Sequence, residues 1–172
     1  MNFSIIAAVD QNLGIGINNK LPWHIKADMD HFAEITIKAA AGKINAVIMG
    51  KNTWESLPPK FRPLPERLNV VLYETNDYLV PDGVLLYNSF EQALAELEKR
   101  TDLNEIFVIG GASLYTYTIK QPECSKLYLT EIQSTFTVDT YFPQLPPAFK
   151  KIEESQIIQE NSLQFKYCVY QK

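Results

Sequence analysis

A recurrence of short, largely apolar runs constrains the fold of this chain more than any other feature. Phe3 to Val9, Ile44 to Met49, Leu68 to Leu72, Glu105 to Ile109 and Lys126 to Ile132 each have the length and composition of a strand buried on both faces. Helix-like stretches lie between them. One starts near Ile25 and ends around Ala39 to Lys43, with Gly42 as its C-terminal cap. Lys51 to Ser56 follows the second run directly. Ser89 and Gln92 fit a capping box, ahead of an apolar face of Phe90, Ala93, Leu94 and Leu97. Ala112 to Lys120 is the last. Pro58, Pro59, Pro63 and Pro65 make a rigid connection that excludes helix. Val84 to Tyr87 reads as a short strand after the Pro81-Asp82-Gly83 turn. Ile152 to Gln159 and Leu163 to Tyr170 flank Asn161-Ser162 as an antiparallel pair. In the second, Leu163, Phe165, Tyr167 and Val169 alternate with Gln164, Lys166 and Cys168. The alternation predicts an α/β fold: a mostly parallel central sheet, helices on both faces and an antiparallel C-terminal hairpin. At 172 residues, one domain spanning 1–172 is expected.

Composition supplies exclusions. The net charge of -4, with no basic run, argues against nucleic acid as a partner. No apolar run approaches a membrane span. The segment MNFSIIAAVDQN lacks a basic leader and reads as a first strand. Cys124 and Cys168, with His24 and His31, form no metal-binding spacing, so no metal is expected. A reduced cytoplasmic protein is the simplest reading.

Asp28 breaks the pattern of the first helix. Its apolar stripe is Ile25, Met29, Phe32 and Thr36, and Asp28 lies on that stripe while Lys26 and Asp30 point away. A charge there is costly unless something pairs with it. The ordinary explanations are a misplaced helix start, a buried arginine partner or a turn cap. The functional explanation is a carboxylate reserved for a ligand.

Glycines stand beyond three strands: Gly14-Ile15-Gly16, Gly50 and Gly110-Gly111. In an open α/β sheet, ligands bind at the carboxyl ends of strands, and helix N-termini there offer N–H groups to anions. Two strand–glycine–helix junctions suit the two phosphates of a dinucleotide. Each signal alone is weak: Gly14 to Asn19 is not the dinucleotide fingerprint, and Thr53 is equally a helix cap. Trp23 and Trp54 are ordinary core residues on the same footing. His24 and His31 read as surface or helix-flank residues.

Taken together, the motifs resemble dihydrofolate reductase over nearly the whole chain. They are Ile6-Ala7-Ala8-Val9, Gly14-Ile15-Gly16, Leu21-Pro22-Trp23, Asp28 with Phe32, Val47-Ile48-Met49-Gly50 with Thr53-Trp54-Glu55-Ser56, Arg62-Pro63-Leu64-Pro65 with Arg67, Val108-Ile109-Gly110-Gly111 with Tyr115, Leu127-Tyr128-Leu129-Thr130, and Asp139-Thr140 with Phe142-Pro143. Aspartate at 28, where vertebrate members carry glutamate, resembles the bacterial branch. The segment Lys38 to Asn45 is longer than in compact bacterial members.

The resemblance implies hydride transfer from NADPH to dihydrofolate, giving tetrahydrofolate for one-carbon metabolism, and sensitivity to antifolates in a cytoplasmic monomer. Asp28 would accept two hydrogen bonds from the pterin and promote protonation electrostatically. Thr130 would support it, Trp23 would hold a water, and Leu21 would control water entry. Ile6, Ala7, Met29, Phe32, Leu57, Leu64 and Ile109 would line the folate site, with Arg67 clamping the glutamate tail. Ala8, Ile15, Gly16 and Asn19 would lie near the nicotinamide. Gly50, Lys51, Asn52 and Thr53, with Gly111, Ala112, Ser113, Leu114 and Tyr115, would hold the phosphates, and Ile109 and Gly110 would also belong to the cofactor site. The Gly110-Gly111 bond is cis in the family. Leu72 and Tyr73 would meet the adenosine end, where Glu74 and Ser113 replace the residues usual for NADPH. Two other readings compete with this one. A riboflavin-pathway reductase of the same architecture is disfavoured by Asp28, Phe32 and Arg67. A non-catalytic folate- or dinucleotide-binding protein is disfavoured by the set Leu21, Trp23, Asp28 and Thr130.

Overall fold

The computed structural model describes residues 1–75 and 77–172. Strands are β1 (Phe3–Val9), β2 (Gly14–Gly16), β3 (Ile44–Gly50), β4 (Arg67–Leu72), β5 (Leu85–Tyr87), β6 (Leu103–Val108), β7 (Cys124–Ile132), β8 (Thr140–Tyr141), β9 (Lys150–Glu154), β10 (Ile158–Glu160) and β11 (Leu163–Gln171). Helices are α1 (Lys26–Ile37), α2 (Lys51–Ser56), α3 (Phe90–Leu97) and α4 (Ala112–Thr118). The main sheet runs β10-β11-β7-β1-β6-β3-β4-β5, with β9 pairing on β11. Strands from β7 to β5 pair in parallel, and β11 joins β7 antiparallel. A separate ribbon pairs β2 with β8.

The sheet has two covered faces because β1 alternates between them. Phe3, Ile5 and Val9 pack with Phe90, Ala93 and Leu97 of α3 and Tyr115 of α4. Ile6 packs on the other side with Trp54 of α2 and Phe32 and Ile35 of α1. Val47, Ile48 and Met49 of β3 are fully buried. Each such side chain contributes about 1.5–3 kcal/mol against exposure.

Several boundaries depart from the sequence reading; β6 and β7, for instance, each begin two residues early, at Leu103 and Cys124. Helix α1 stops at Ile37, ahead of the expected 39–43 region, because Asn45 Nδ2 donates to Thr36 O at 2.9 Å and Lys38 O at 3.0 Å. Those carbonyls are thereby satisfied without a glycine cap; Gly42 serves the turn before β3 instead. Helix α4 ends at Thr118. The proline-rich connection contains one 3₁₀ turn, Pro59–Phe61, with proline at its start, where the missing N–H costs nothing. The terminal pair has a split first arm: β10 pairs with the start of β11 and β9 with its end. Cys168, expected among polar residues, is buried. Both cysteines are free, and burial pushes the Cys168 thiol up to about 11. Elsewhere, Ser89 Oγ caps α3 by accepting from Gln92 N, while Gln92 Oε1 returns to Asn88 N rather than to Ser89.

Candidate active site

Asp28 sits in the first turn of α1, partly buried. Its partner comes from the sheet. Thr130 lies on β7 opposite Ala8 of β1, and its Oγ1 donates to Asp28 Oδ1 at 2.5 Å. Burial raises the proton affinity of Asp28, the Thr130 hydrogen bond opposes that, and the charge of Glu160 adds to it. The alternative partner, a buried arginine, is not what the fold supplies here: Arg67 bonds at the far end of α1. Beside the carboxylate's helix, Trp23 is 7% exposed and packs on Phe136 at 5.2 Å. Its indole Nε1–H is buried with no acceptor among the described residues. Such a donor suits a bound polar group. Leu21, by contrast, is 57% exposed.

An apolar wall continues from the carboxylate. Ile6, Leu64 and Ile109 are buried in one cluster, with Phe32 and Leu57 packed against it. Met29 stands apart, 42% exposed, so the α1 stripe is not uniformly core-facing. It is closed at Ile25 and Thr36 and open between them. Ala7 points its side chain to the opposite cluster from Ile6. Leu64 is fixed by Asn69, whose side chain accepts from Leu64 N and donates to Leu64 O, both at 2.9 Å.

Arg67 begins β4 and is 8% exposed. Its Nε donates to Pro65 O at 2.8 Å, its Nη1 donates to Thr36 Oγ1 at 2.8 Å, and the guanidinium lies 5.7 Å from the Phe32 ring centroid. These bonds fix the plane of the fork and use two of its five N–H groups, which suits a carboxylate ligand at the remaining edge.

A second region assembles around β3 and β6. Gly50 N donates to Gly110 O at 2.8 Å, and the Gly110-Gly111 peptide is cis. Gly110 has φ +125°, and a Cβ there would lie 3.3 Å from both Thr53 Oγ1 and Tyr115 Oη. Only glycine suits that conformation. Tyr115 is buried, donates to Ile6 O at 2.9 Å, and has its proton affinity raised by burial. Gly50 and Gly111 occupy the N-cap positions of α2 and α4, and neither helix has a side-chain cap. Thr53, which sequence left open as a cap, faces Gly110 and Gly111 instead. Ala112, Ser113 and Leu114 form the first turn of α4.

The loop after β1 is tied down at several points. Asp10 is buried; its Oδ1 accepts from Asn12 N and Gly14 N, and its Oδ2 from Phe136 N. A Cβ on Gly14 would strike Val138 Cγ2 at 2.8 Å and Asp10 Oδ2 at 2.9 Å. Ile15 packs on the main core and Gly16 O accepts from Asp139 N. Asp139 Oδ2 accepts from Asn18 N at 2.9 Å, and Asn19 Nδ2 donates to Asn52 O at 3.0 Å. The loop therefore bridges the residues after β7 and the start of α2.

At the end of β4, Lys51 Nζ lies 4.9 Å from the Tyr73 ring centroid and 5.2 Å from that of Tyr78, and 3.5 Å from Glu55 Oε1. Leu72 packs against the main core, and Glu74 is exposed.

The sequence assigns no site role to Asp10, Asn69 or Glu160, and reads Thr36 and Tyr167 only as members of an apolar stripe and of an alternating strand. Glu160 accepts from Lys26 N and Ala27 N, at 2.5 and 3.1 Å. Tyr167 donates to Ala27 O at 3.0 Å and stacks on His31 at 3.6 Å. His31, read as a flank residue, is thus a packing residue whose proton affinity burial lowers. The one available signal was the missing cap before Lys26, where Ile25 offers no side-chain acceptor.

The family model described as dihydrofolate reductase matches residues 2–172. A dihydrofolate reductase of Heliothis virescens is 39% identical, covering 100% of this chain and 98% of that protein. That of Drosophila melanogaster is 36% identical, covering 100% and 98%. A bifunctional dihydrofolate reductase-thymidylate synthase of Glycine max is 35% identical over 98% of this chain and 33% of its own length.

Proposed function

The chain belongs to the dihydrofolate reductase family and is an oxidoreductase that reduces dihydrofolate to tetrahydrofolate; from that premise we propose that its hydride donor is NADPH and that Asp28 is its catalytic carboxylate. The observation that carries the assignment of Asp28 is its pairing with Thr130, in the first turn of the helix that follows Trp23, whose indole N–H has no acceptor among the described residues. One face of the carboxylate is held, and the other is left to the pterin amino and ring N–H groups. Ile6, Phe32, Leu57, Leu64 and Ile109 grip the heterocycle and its linker, with the Ala7 backbone and exposed Met29 at the edges. Arg67 receives the glutamate tail.

The dinucleotide site fits this chain. Two adjacent helix starts lack side-chain caps, and glycines at 50, 110 and 111 leave room for close approach. Gly50 to Thr53 and Gly111 to Tyr115 would hold the phosphates, and Ala8, Ile15, Gly16 and Asn19 would border the nicotinamide. When bound, the nicotinamide supplies the hydride. The protein's part is orientation, a buried negative charge at Asp28 that draws a proton toward the substrate, and control of water at Leu21 and Trp23. Loss of NADPH absorbance that depends on dihydrofolate tests the whole reading. No such loss would overturn it.

The adenosine end is built differently from its surroundings. Lys51 is held over two tyrosine rings and against Glu55, so its charge is partly committed. NADPH is expected to be favoured over NADH in kcat/KM by roughly tenfold, about 1.4 kcal/mol. A preference for NADH would refute the assignment of NADPH.

Asp139 anchors the loop that borders the nicotinamide, and we take that loop to open and close during turnover. Removing the acceptor of Asn18 N in Asp139→Ala is expected to change hydride-transfer or product-release rates severalfold, by stopped-flow fluorescence. Unchanged rates for both steps would count against a moving loop.

No described helix is long and apolar enough to cross a membrane. A single domain over 1–172, acting as a cytoplasmic monomer that binds antifolates at the folate site and no nucleic acid, completes the proposal. Gel filtration tests the monomer.

A further inference from the structure

Helix α1 carries the carboxylate of the reaction, yet it lacks a cap of its own. Ile25 stands at its N-cap position and has no side-chain acceptor. The first N–H groups of a helix must find partners, and here they find them 133 and 134 residues away. Glu160 Oε2 accepts from Lys26 N at 2.5 Å, and Glu160 Oε1 from Ala27 N at 3.1 Å. Glu160 closes β10 and pairs with Leu163 at the start of β11. Four residues further along β11, Tyr167 lies opposite Thr130 of β7 and donates to Ala27 O at 3.0 Å. The same ring stacks on His31 at 3.6 Å. The turn that holds Asp28 is thus gripped at its N–H groups, at a carbonyl and at a side chain. All three grips come from the hairpin neighbouring the strand of Thr130.

We propose that Glu160 is a positioning residue for Asp28, fixing the first turn of α1 so that its carboxylate meets Thr130 and the substrate. The proposal rests on the catalytic role assigned to Asp28. Glu160 also adds negative charge near that carboxylate, which raises its proton affinity together with burial. The groups that act on Asp28 are Thr130 from β7 and Glu160 from β10; Tyr167 from β11 feels the charge of Asp28 together with those of Glu160, Asp30 and Glu34, and His31 stacks on its ring. Lys26 is engaged with Asp30 at 2.5 Å. Glu160 is therefore the charge that both fixes the turn and acts on Asp28.

The test compares Glu160→Gln, which keeps one acceptor oxygen without the charge, with Glu160→Ala, which loses both. The carboxyl carbon of Asp28 is followed by NMR across pH, and kcat/KM for dihydrofolate is measured over the same range, well below each melting temperature. Asp28 is expected to titrate at lower pH in Glu160→Gln, where the charge goes and one acceptor stays, and to shift less in Glu160→Ala, where a loosened turn also weakens the opposing Thr130 bond; the alkaline fall of kcat/KM should follow Asp28 in each. The value of kcat/KM should drop roughly tenfold, part of the roughly hundredfold loss that a misplacement of about 1 Å can cause. A purely structural cap would lower Tm and leave both pH curves unmoved, and that result overturns the proposal. Where Glu160→Ala fails to fold, Glu160→Gln decides. If the parent shows no dihydrofolate-dependent oxidation of NADPH, the functional reading fails. The Asp28 titration still decides the positioning by Glu160.

Discussion

Replacing Asp28 by asparagine is expected to slow hydride transfer at pH 7 by roughly a hundredfold or more, the range of a lost acid–base group. Asparagine keeps the shape and an oxygen that accepts from Thr130 Oγ1, so the fold survives. What disappears is the negative charge that favours proton delivery to the substrate. The defect should shrink at low pH, where pre-protonated substrate becomes more abundant. Near-normal transfer at pH 7 in single-turnover measurements would end the assignment. Stability should move in the opposite direction. Asp28 has a folded-state pKa raised, chiefly by burial, above its ordinary value of 3.8. Below the unfolded value both states are protonated and nothing is lost. As pH rises through the folded value, the buried charge forms and stability falls. Melting curves at neutral pH should therefore place Asp28→Asn at or above the parent, with the gap closing below pH 3.8.

Arg67→Lys should raise KM for dihydrofolate by about ten- to a hundredfold with little change in kcat. A hydrogen bond to a charged group is worth about 1.5–3 kcal/mol, and a lysine does not reproduce a bidentate fork. The variant also loses the bonds from Nε to Pro65 O and from Nη1 to Thr36 Oγ1, so a lower Tm is expected. A substrate truncated before its glutamate separates the two effects. Parent and variant should handle it equally. A KM rise of the same size with the truncated substrate would show that Arg67 does not clamp the tail.

Much of this site was readable from the chain because local rules placed it. Short apolar runs closed by glycine gave the parallel strands and the two uncapped helix starts. Asp28 was visible as a charge inside an apolar stripe, although the stripe is open at Met29 rather than sealed. What escaped was held by long-range partners. Asn45 ends α1 early, Glu160 begins it, and Asn69 holds Leu64; in each case a side chain substitutes for a local signal. The burial of Cys168 shows the same limit, since alternation along β11 gives its two faces but not what packs on each.

The position of β11 has a consequence for synthesis. This strand is threaded between β7 and the pair β9 and β10, yet it is made after every other strand of the sheet. Until residues 163–171 leave the ribosome, β7 presents a bare edge, the turn bearing Asp28 lacks the Tyr167 phenol, and Glu160 has no β11 partner to place its carboxylate. A nascent chain stalled before β11 would expose a sticky edge and an unfixed catalytic helix together. Emergence of β11 is then the step that closes the β7 edge and completes the hold on the turn of Asp28.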